Sequence, residues 1–218
     1  MDRSVREVVR RALADQGSSI VGETDLTPAA VLILVYGSGE ESTVLLSKRS
    51  ENLETHPGEI SFPGGRHEAG DSDLLQTALR EAHEEVGVAP RDVEVLGELG
   101  QFSTSSDFVI STFVGTIGPG TSEQGTSEQP YRFTINHSEV AELVEVPVRE
   151  LMDHRNLRDD VRVVDGDLTV MPAFSYAGHL IFGATARILD RLIEVLARGD
   201  AYTAVLGDAT CEKVRACV

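Results

Sequence analysis

Lysine is almost missing from this chain of 218 residues: Lys48 and Lys213 are the only two, and every other basic residue is Arg. Basic charge as a whole is scarce, with 19 Lys and Arg against 36 Asp and Glu, which leaves a formal net charge of −17. A surface of that sign repels phosphate backbones and excludes nucleic-acid binding through a basic face. It also suits a protein working in concentrated salt, where screening suppresses self-repulsion. A halophilic chain is therefore expected, with an acidic mesophilic protein as the plainer alternative. Unfolding followed across a salt series should show stability rising with salt; full stability in dilute buffer would contradict halophily. Long apolar runs are missing too. No segment approaches the roughly 20 residues that span a bilayer, and Met1-Asp2-Arg3-Ser4-Val5-Arg6-Glu7 lacks the apolar core of a secretory signal. The expectations are no membrane association and a cytoplasmic location. Cysteine is limited to Cys211 and Cys217, and two free thiols are preferred over a tail disulfide or metal pair.

What is present reads as one α/β (α+β) domain, a mixed β-sheet sandwiched between α-helices. Residues 2–16 predict a helix with Val5, Val8, Val9, Ala12 and Leu13 on one face, leading with its linker through residue 28. The main domain spans 29–198. Ala29 to Tyr36 is a continuous apolar run, expected to be a strand covered on both faces, and Thr43 to Lys48 returns as a second. Glu59 to Phe62 predicts a short strand stopped by Pro63-Gly64-Gly65. A helix capped by Asp71 or Ser72 follows, with Leu75, Leu79, Ala82 and Val86 at helical spacing and Gly87 as its stop. Strands are expected over Val93–Leu99, Phe108–Ile117, 140–146 and 168–175, and a long helix over Ile181–Arg198. Thr121-Ser122-Glu123-Gln124 recurs as Thr126-Ser127-Glu128-Gln129, so 119–130 reads as a polar hairpin loop lengthened by duplication. Residues 199–218 read as a tail.

The helix ending at Gly87 places Glu81, Glu84 and Glu85 at i, i+3 and i+4, on one flank at about 100° per residue. Like charges that close repel by some tenths of a kcal/mol per pair, a cost that a divalent cation would offset. Carboxylate-only clusters favour hard ions, Mg²⁺ or Mn²⁺, and Arg80 can neutralise one carboxylate. A solvated acidic face would be the preferred reading of the helix alone. Pro63-Gly64-Gly65 changes that, because it brings bare backbone, including a carbonyl able to ligate metal, close to the acids.

Arg80-Glu81-Ala82-His83-Glu84-Glu85-Val86-Gly87-Val88 resembles the Nudix hydrolase family, whose signature is Gly, five residues, Glu, seven residues, then Arg-Glu-apolar-x-Glu-Glu-x-Gly-apolar. The second half matches position for position. In the first half the segment is one residue longer, with Asp71 where the family has Glu. That departure is similar to the family's coenzyme A pyrophosphatase branch, as are Leu45-Leu46-Ser47-Lys48-Arg49-Ser50, the run His56 to Gly65, and Ile181-Phe182-Gly183-Ala184-Thr185-Ala186-Arg187-Ile188-Leu189, where the branch usually has Trp in place of Phe182.

The resemblance implies a Nudix-type fold and a diphosphatase in which metal ions bridge phosphate oxygens and activate an attacking water. It implies Glu81 and Glu85 as metal ligands, Glu84 as a further ligand or the base orienting water, Arg80 as their partner, and the Gly64 carbonyl as an additional ligand. Glu139 and Glu142 are candidates for a carboxylate recruited from a later loop, Glu139 being preferred. Lys48, Arg49, His56 and the Gly64-Gly65 backbone are candidates for substrate contact; an ion pair for Lys48 and a structural hydrogen bond for His56 are the plainer alternatives. His83 is expected to be exposed and inert. The expected partner is a small nucleoside diphosphate derivative, coenzyme A first and ADP-ribose second, with a homodimer as an open option. A Nudix-fold module that binds a nucleotide without cutting it is the competing class, and three crowded carboxylates speak against it.

Overall fold

The apolar run ending at Tyr36 forms strand β1 (Thr27–Tyr36) in the computed structural model, which describes residues 3–15, 25–37, 39–117, 131–164 and 166–197. A strand without polar alternation has to be covered on both faces. Ala30, Leu32 and Leu34 of β1 enter one apolar layer, and Ile33 and Val35 enter the other. Along one edge β1 runs parallel to β6 (Phe108–Ile117), itself antiparallel to β5 (Val93–Ser103). Its other edge is shared. β4 (Gly64–Arg66) pairs with Ala29–Val31, and β2 (Thr43–Arg49) takes over at Val35 and Tyr36. β2 in turn carries β3 (Ile60–Ser61) and β7 (Val140–Pro147), which runs into the short helix α3 (Val148–Leu151). Helix α2 (Leu74–Val86) closes the first layer; α1 (Arg3–Asp15) and α4 (Gly183–Leu196) close the second. This is the expected mixed sheet between helices.

Boundaries depart from the sequence reading in places. Asp73, rather than Asp71 or Ser72, caps α2, its carboxylate accepting from the Gln76 N–H at 2.8 Å. The buried stripe of α2 is Ala78, Ala82 and Val86, flanked by Leu74 and Leu79; Leu75 stays at its margin. Gly87 ends the helix in the left-handed conformation (φ 73°), as expected. Pro63-Gly64-Gly65 is not simply a stop, because its glycines pair with β1. Ile181 closes β10 (His179–Ile181), so α4 starts two residues later than expected, at Gly183. The sequence pattern predicts no strand over Leu157–Val164, yet β8 lies there and pairs with β9 (Asp167–Tyr176), which pairs with β10. Arg158, Asp159, Asp160 and Arg162 mask β8 in the sequence, and its Val161 and Val163 stay exposed, so backbone pairing rather than burial forms it. The loop at 119–130, the tail at 199–218 and both cysteines fall outside the described residues. Among the described residues no helix is long and apolar enough to cross a membrane.

Candidate active site

The three residues of β4 decide what faces α2. In an antiparallel pair, alternate residues direct both backbone groups at the neighbour. The Pro63 carbonyl accepts from the Leu32 N–H at 2.9 Å, and the His67 N–H donates to the Pro28 carbonyl at 3.0 Å. Residues 63, 65 and 67 therefore address β1, and the backbone groups of Gly64 and Arg66 turn away from it. The Gly64 N–H donates to the Glu85 carboxylate, and the Arg66 carbonyl accepts from Arg80 Nη2 at 3.2 Å. Neither glycine leaves room for a side chain. A Cβ on Gly64 would stand 2.4 Å from the Ala30 carbonyl oxygen, and one on Gly65 would stand 2.4 Å from Glu81 Oε1.

Arg80 joins this strand to the acids. Its Nε and Nη2 grip Asp71 Oδ1 and Oδ2 at 2.9 and 3.1 Å, while Nη1 donates to Glu81 Oε1 at 2.8 Å and to Glu84 Oε2 at 3.0 Å. Asp71 also accepts from the Thr77 hydroxyl at 2.8 Å and the Glu68 N–H at 3.1 Å, and His67 Nδ1 lies 2.9 Å from the same hydroxyl. The Arg80 guanidinium holds the Asp71 carboxyl well below the usual carboxylate range, helped by the Glu68 N–H and Thr77. Asp71 thus anchors the arginine. Its side chain is one methylene shorter than Glu, and the extra residue of the segment falls after it, where eight residues rather than seven separate Asp71 from Arg80.

The acids of α2 sit at graded depths. Glu84 is 51% exposed, Glu81 is 13% exposed, and Glu85 is 4% exposed. Burial raises the Glu81 carboxyl despite Arg80, with Glu84 and Glu139 adding to the rise. Burial, then the Glu81 charge, pushes Glu85 up to about 8; Arg49 and the Gly64 N–H oppose the shift and Glu139 adds to it. Glu85 Oε2 is buried without a hydrogen-bond partner, as is Arg49 Nε. An orphaned buried carboxylate oxygen costs about 1–3 kcal/mol or more, so something should offset it.

Among the described residues no three His, Cys, Asp or Glu side chains already form a closed ligand set; Arg80 Nη1 stands between Glu81 and Glu84. The donors nevertheless fit a hard divalent ion: oxygen-only ligands, an unpartnered buried oxygen on Glu85, and the space in front of Glu81 that Gly65 keeps clear.

Residues 26–165 match the NUDIX domain. The chain belongs to the Nudix family. Its relatives include proteins described as uncharacterised Nudix hydrolase NudL: one from Photorhabdus laumondii is 33% identical over 166 residues, covering 76% of this chain and 83% of that one. Another, from Yersinia enterocolitica, is 36% identical over 167 residues, with 76% and 80% covered. A MutT/nudix family protein from Enterococcus faecalis shares the fold at 13% identity and a TM-score of 0.50, over 92% of this chain and 76% of that one. The chain is thus a hydrolase of diphosphate bonds.

This Nudix hydrolase brings most of its candidate residues together. Glu81, Glu85, Arg80, Gly64 and Gly65 meet at the α2–β4 seam, with Glu84 at the rim. Arg49 and Glu139 lie near enough for their charges to act on Glu85. Lys48 does not. On β2, Val44 and Leu46 face the α1–α4 layer and Leu45 faces α2, so strand alternation sends Lys48 and Arg49 to opposite sides. Lys48 lies 3.7 Å from Glu51 and 3.9 Å from Glu142, the ion-pair alternative, which also draws Glu142 away from Glu85. His56 is exposed and pairs with Glu59 at 3.0 Å. His83 is exposed, as expected. Thr77 and His67 have no role assigned from sequence, since neither carries a signal of its own; Asp71 reads there as a cap and as the residue standing where the family has Glu, and its grip on Arg80 is not foreseen.

Proposed function

We propose that this Nudix hydrolase cleaves the diphosphate of coenzyme A or its derivatives, giving adenosine 3′,5′-bisphosphate and 4′-phosphopantetheine, with Mg²⁺ or Mn²⁺ held by Glu81 and Glu85 and the Gly64 carbonyl as a further ligand. The observation that carries the metal reading is the buried, unpartnered Glu85 Oε2 beside Glu81 and the two glycines. The substrate choice rests on the motif runs Leu45–Ser50, His56–Gly65 and Ile181–Leu189.

A bound divalent ion would act as a Lewis acid on the phosphate oxygens. Arg80 fixes Glu81 and sets Glu84 at the rim, where its carboxylate meets solvent and can take the proton of an attacking water. Such a general base is worth about 10²–10⁴-fold. Arg49 supplies positive charge next to Glu85 and near the substrate's phosphates. Glu139 is a further acid facing the same space.

Chelator-stripped chain should be inactive and regain turnover with Mg²⁺ or Mn²⁺, releasing the two named products from coenzyme A, and adenosine 3′,5′-bisphosphate with the S-acyl-4′-phosphopantetheine from its thioesters. Chromatography of a panel that includes ADP-ribose checks this. Cleavage of ADP-ribose with coenzyme A untouched would overturn the substrate, and full activity in chelator would overturn the metal.

A further inference from the structure

Asn136 uses every polar group it has at the seam between α2 and β7. Its N–H donates to the Glu85 carbonyl at 2.9 Å, and its carbonyl accepts from the N–H groups of Glu139 at 3.0 Å and Val140 at 2.9 Å. Its Oδ1 accepts from the Ser138 N–H at 3.2 Å and the Ser138 hydroxyl at 2.6 Å. A backbone N–H can only donate, so this contact fixes which end of the amide is oxygen. The other end, Nδ2, then donates to Glu139 Oε1 at 3.1 Å. Two neighbouring bonds complete the seam: Thr134 N–H to the Val86 carbonyl at 3.0 Å, and Ser50 N–H to the Glu139 carbonyl at 2.7 Å. The second sets Glu139 beside the end of β2 that bears Arg49.

We propose that Asn136 is a positioning residue, whose amide keeps the Glu139 carboxylate turned into the site formed by Glu81 and Glu85. The inference rests on the reading above that places Glu139 in that site. A glutamate has three rotatable bonds, and next to the acids of α2 its carboxylate gains by swinging out to water. One hydrogen bond from a neutral donor opposes the swing. Arg80 holds Glu81 and Glu84 with a full positive charge, whereas an amide holds Glu139 and leaves its charge undiminished for an ion or a water. The same residue ties its main chain to Glu85, so the distance between Glu85 and Glu139 is set through a single residue.

The test uses the full chain with Mg²⁺ and with coenzyme A and ADP-ribose as probes. Asn136→Ala deletes the side-chain bonds and keeps the three backbone ones, and Asn136→Asp also keeps the acceptor for Ser138 while removing the donor. Both variants are expected to melt near the wild-type temperature, to lose about tenfold in kcat, and to hold KM within about twofold. In a Glu139→Gln background the Asn136 substitutions should add nothing. Effects that multiply in the double variants, or a raised KM with unchanged kcat, would overturn the proposal. A wild-type chain that cleaves neither probe sinks the functional reading instead. A crystal structure of the Asn136→Ala chain then decides: Glu139 swung out to solvent supports the positioning role, and Glu139 unmoved refutes it.

Discussion

Glu85→Gln is expected to fold and to lose turnover by about 10²–10⁴-fold on any diphosphate that the wild type cleaves. The same variant, stripped of metal, is expected to be more stable than the wild type at pH 8. Burial, reinforced by Glu81, pushes the Glu85 carboxyl up to about 8, whereas in the unfolded chain it ionises near its ordinary value of about 4.3. Between those two values the unfolded state has given up a proton that the folded state retains. Wild-type stability is therefore unaffected by this group at lower pH and falls as pH climbs through the window, then levels off above it. At about 1.4 kcal/mol per unit the loss is bounded at about 5 kcal/mol. Gln has no such proton, and its amide oxygen can still accept from the Gly64 N–H. Denaturant titrations at several pH values, in chelator, measure both slopes. A variant with the wild-type slope would put the buried charge somewhere other than Glu85. Metal acts in the opposite sense, because it needs the ionised carboxylate: Mg²⁺ affinity should rise with pH up to about 8.

Alanine at the two glycines of β4 should separate fold from chemistry. In Gly64→Ala the new Cβ meets backbone, the Ala30 carbonyl oxygen at 2.4 Å and Val31 Cα at 2.7 Å. Neither atom can retreat without parting β4 from β1, so a loss of about 1–3 kcal/mol or more in stability is expected, with a lower melting temperature. In Gly65→Ala the obstacle is the Glu81 carboxylate, with Oε1 at 2.4 Å and Cδ at 2.6 Å. The end of a side chain can swing aside, breaking its bond to Arg80 Nη1. That variant should melt close to wild type and lose most of its turnover. Thermal melts and assays on the same preparations check both. A Gly65→Ala chain with full activity would show that Glu81 does not need its place in front of β4.

How far the sequence could be read depended on whether a pattern records direction. The apolar run of β1 and the helix stopped by Gly87 were legible because burial on two faces, or on one stripe, leaves a periodic trace. The three acids of α2 were legible as a cluster, but angular position does not give depth: Glu84 and Glu85 are neighbours, and one is half in water while the other is enclosed. The separation of Lys48 from Arg49 could have been read, since strand alternation alone puts adjacent residues on opposite faces. The cap of α2 was misplaced because Asp71, Ser72 and Asp73 are all good capping residues, and only the tertiary bond from Arg80 removes Asp71 from the choice. The tie between Asn136 and Glu85 left no trace, because that one bond joins segments far apart in the chain, while the other contacts of Asn136 are local to residues 138–140.

The alternation along β4 has one more consequence. Each residue of that strand is committed to either β1 or α2, so inserting a single residue between Phe62 and Arg66 would exchange the two sets of backbone groups and present α2 with the wrong ones. Beyond His67 the backbone no longer pairs with β1, and the one additional residue that distinguishes this chain from the general Nudix pattern falls there, between Asp71 and Arg80. Length can vary where the chain is only travelling, and it is held fixed over the few residues that act as a ruler for the acids.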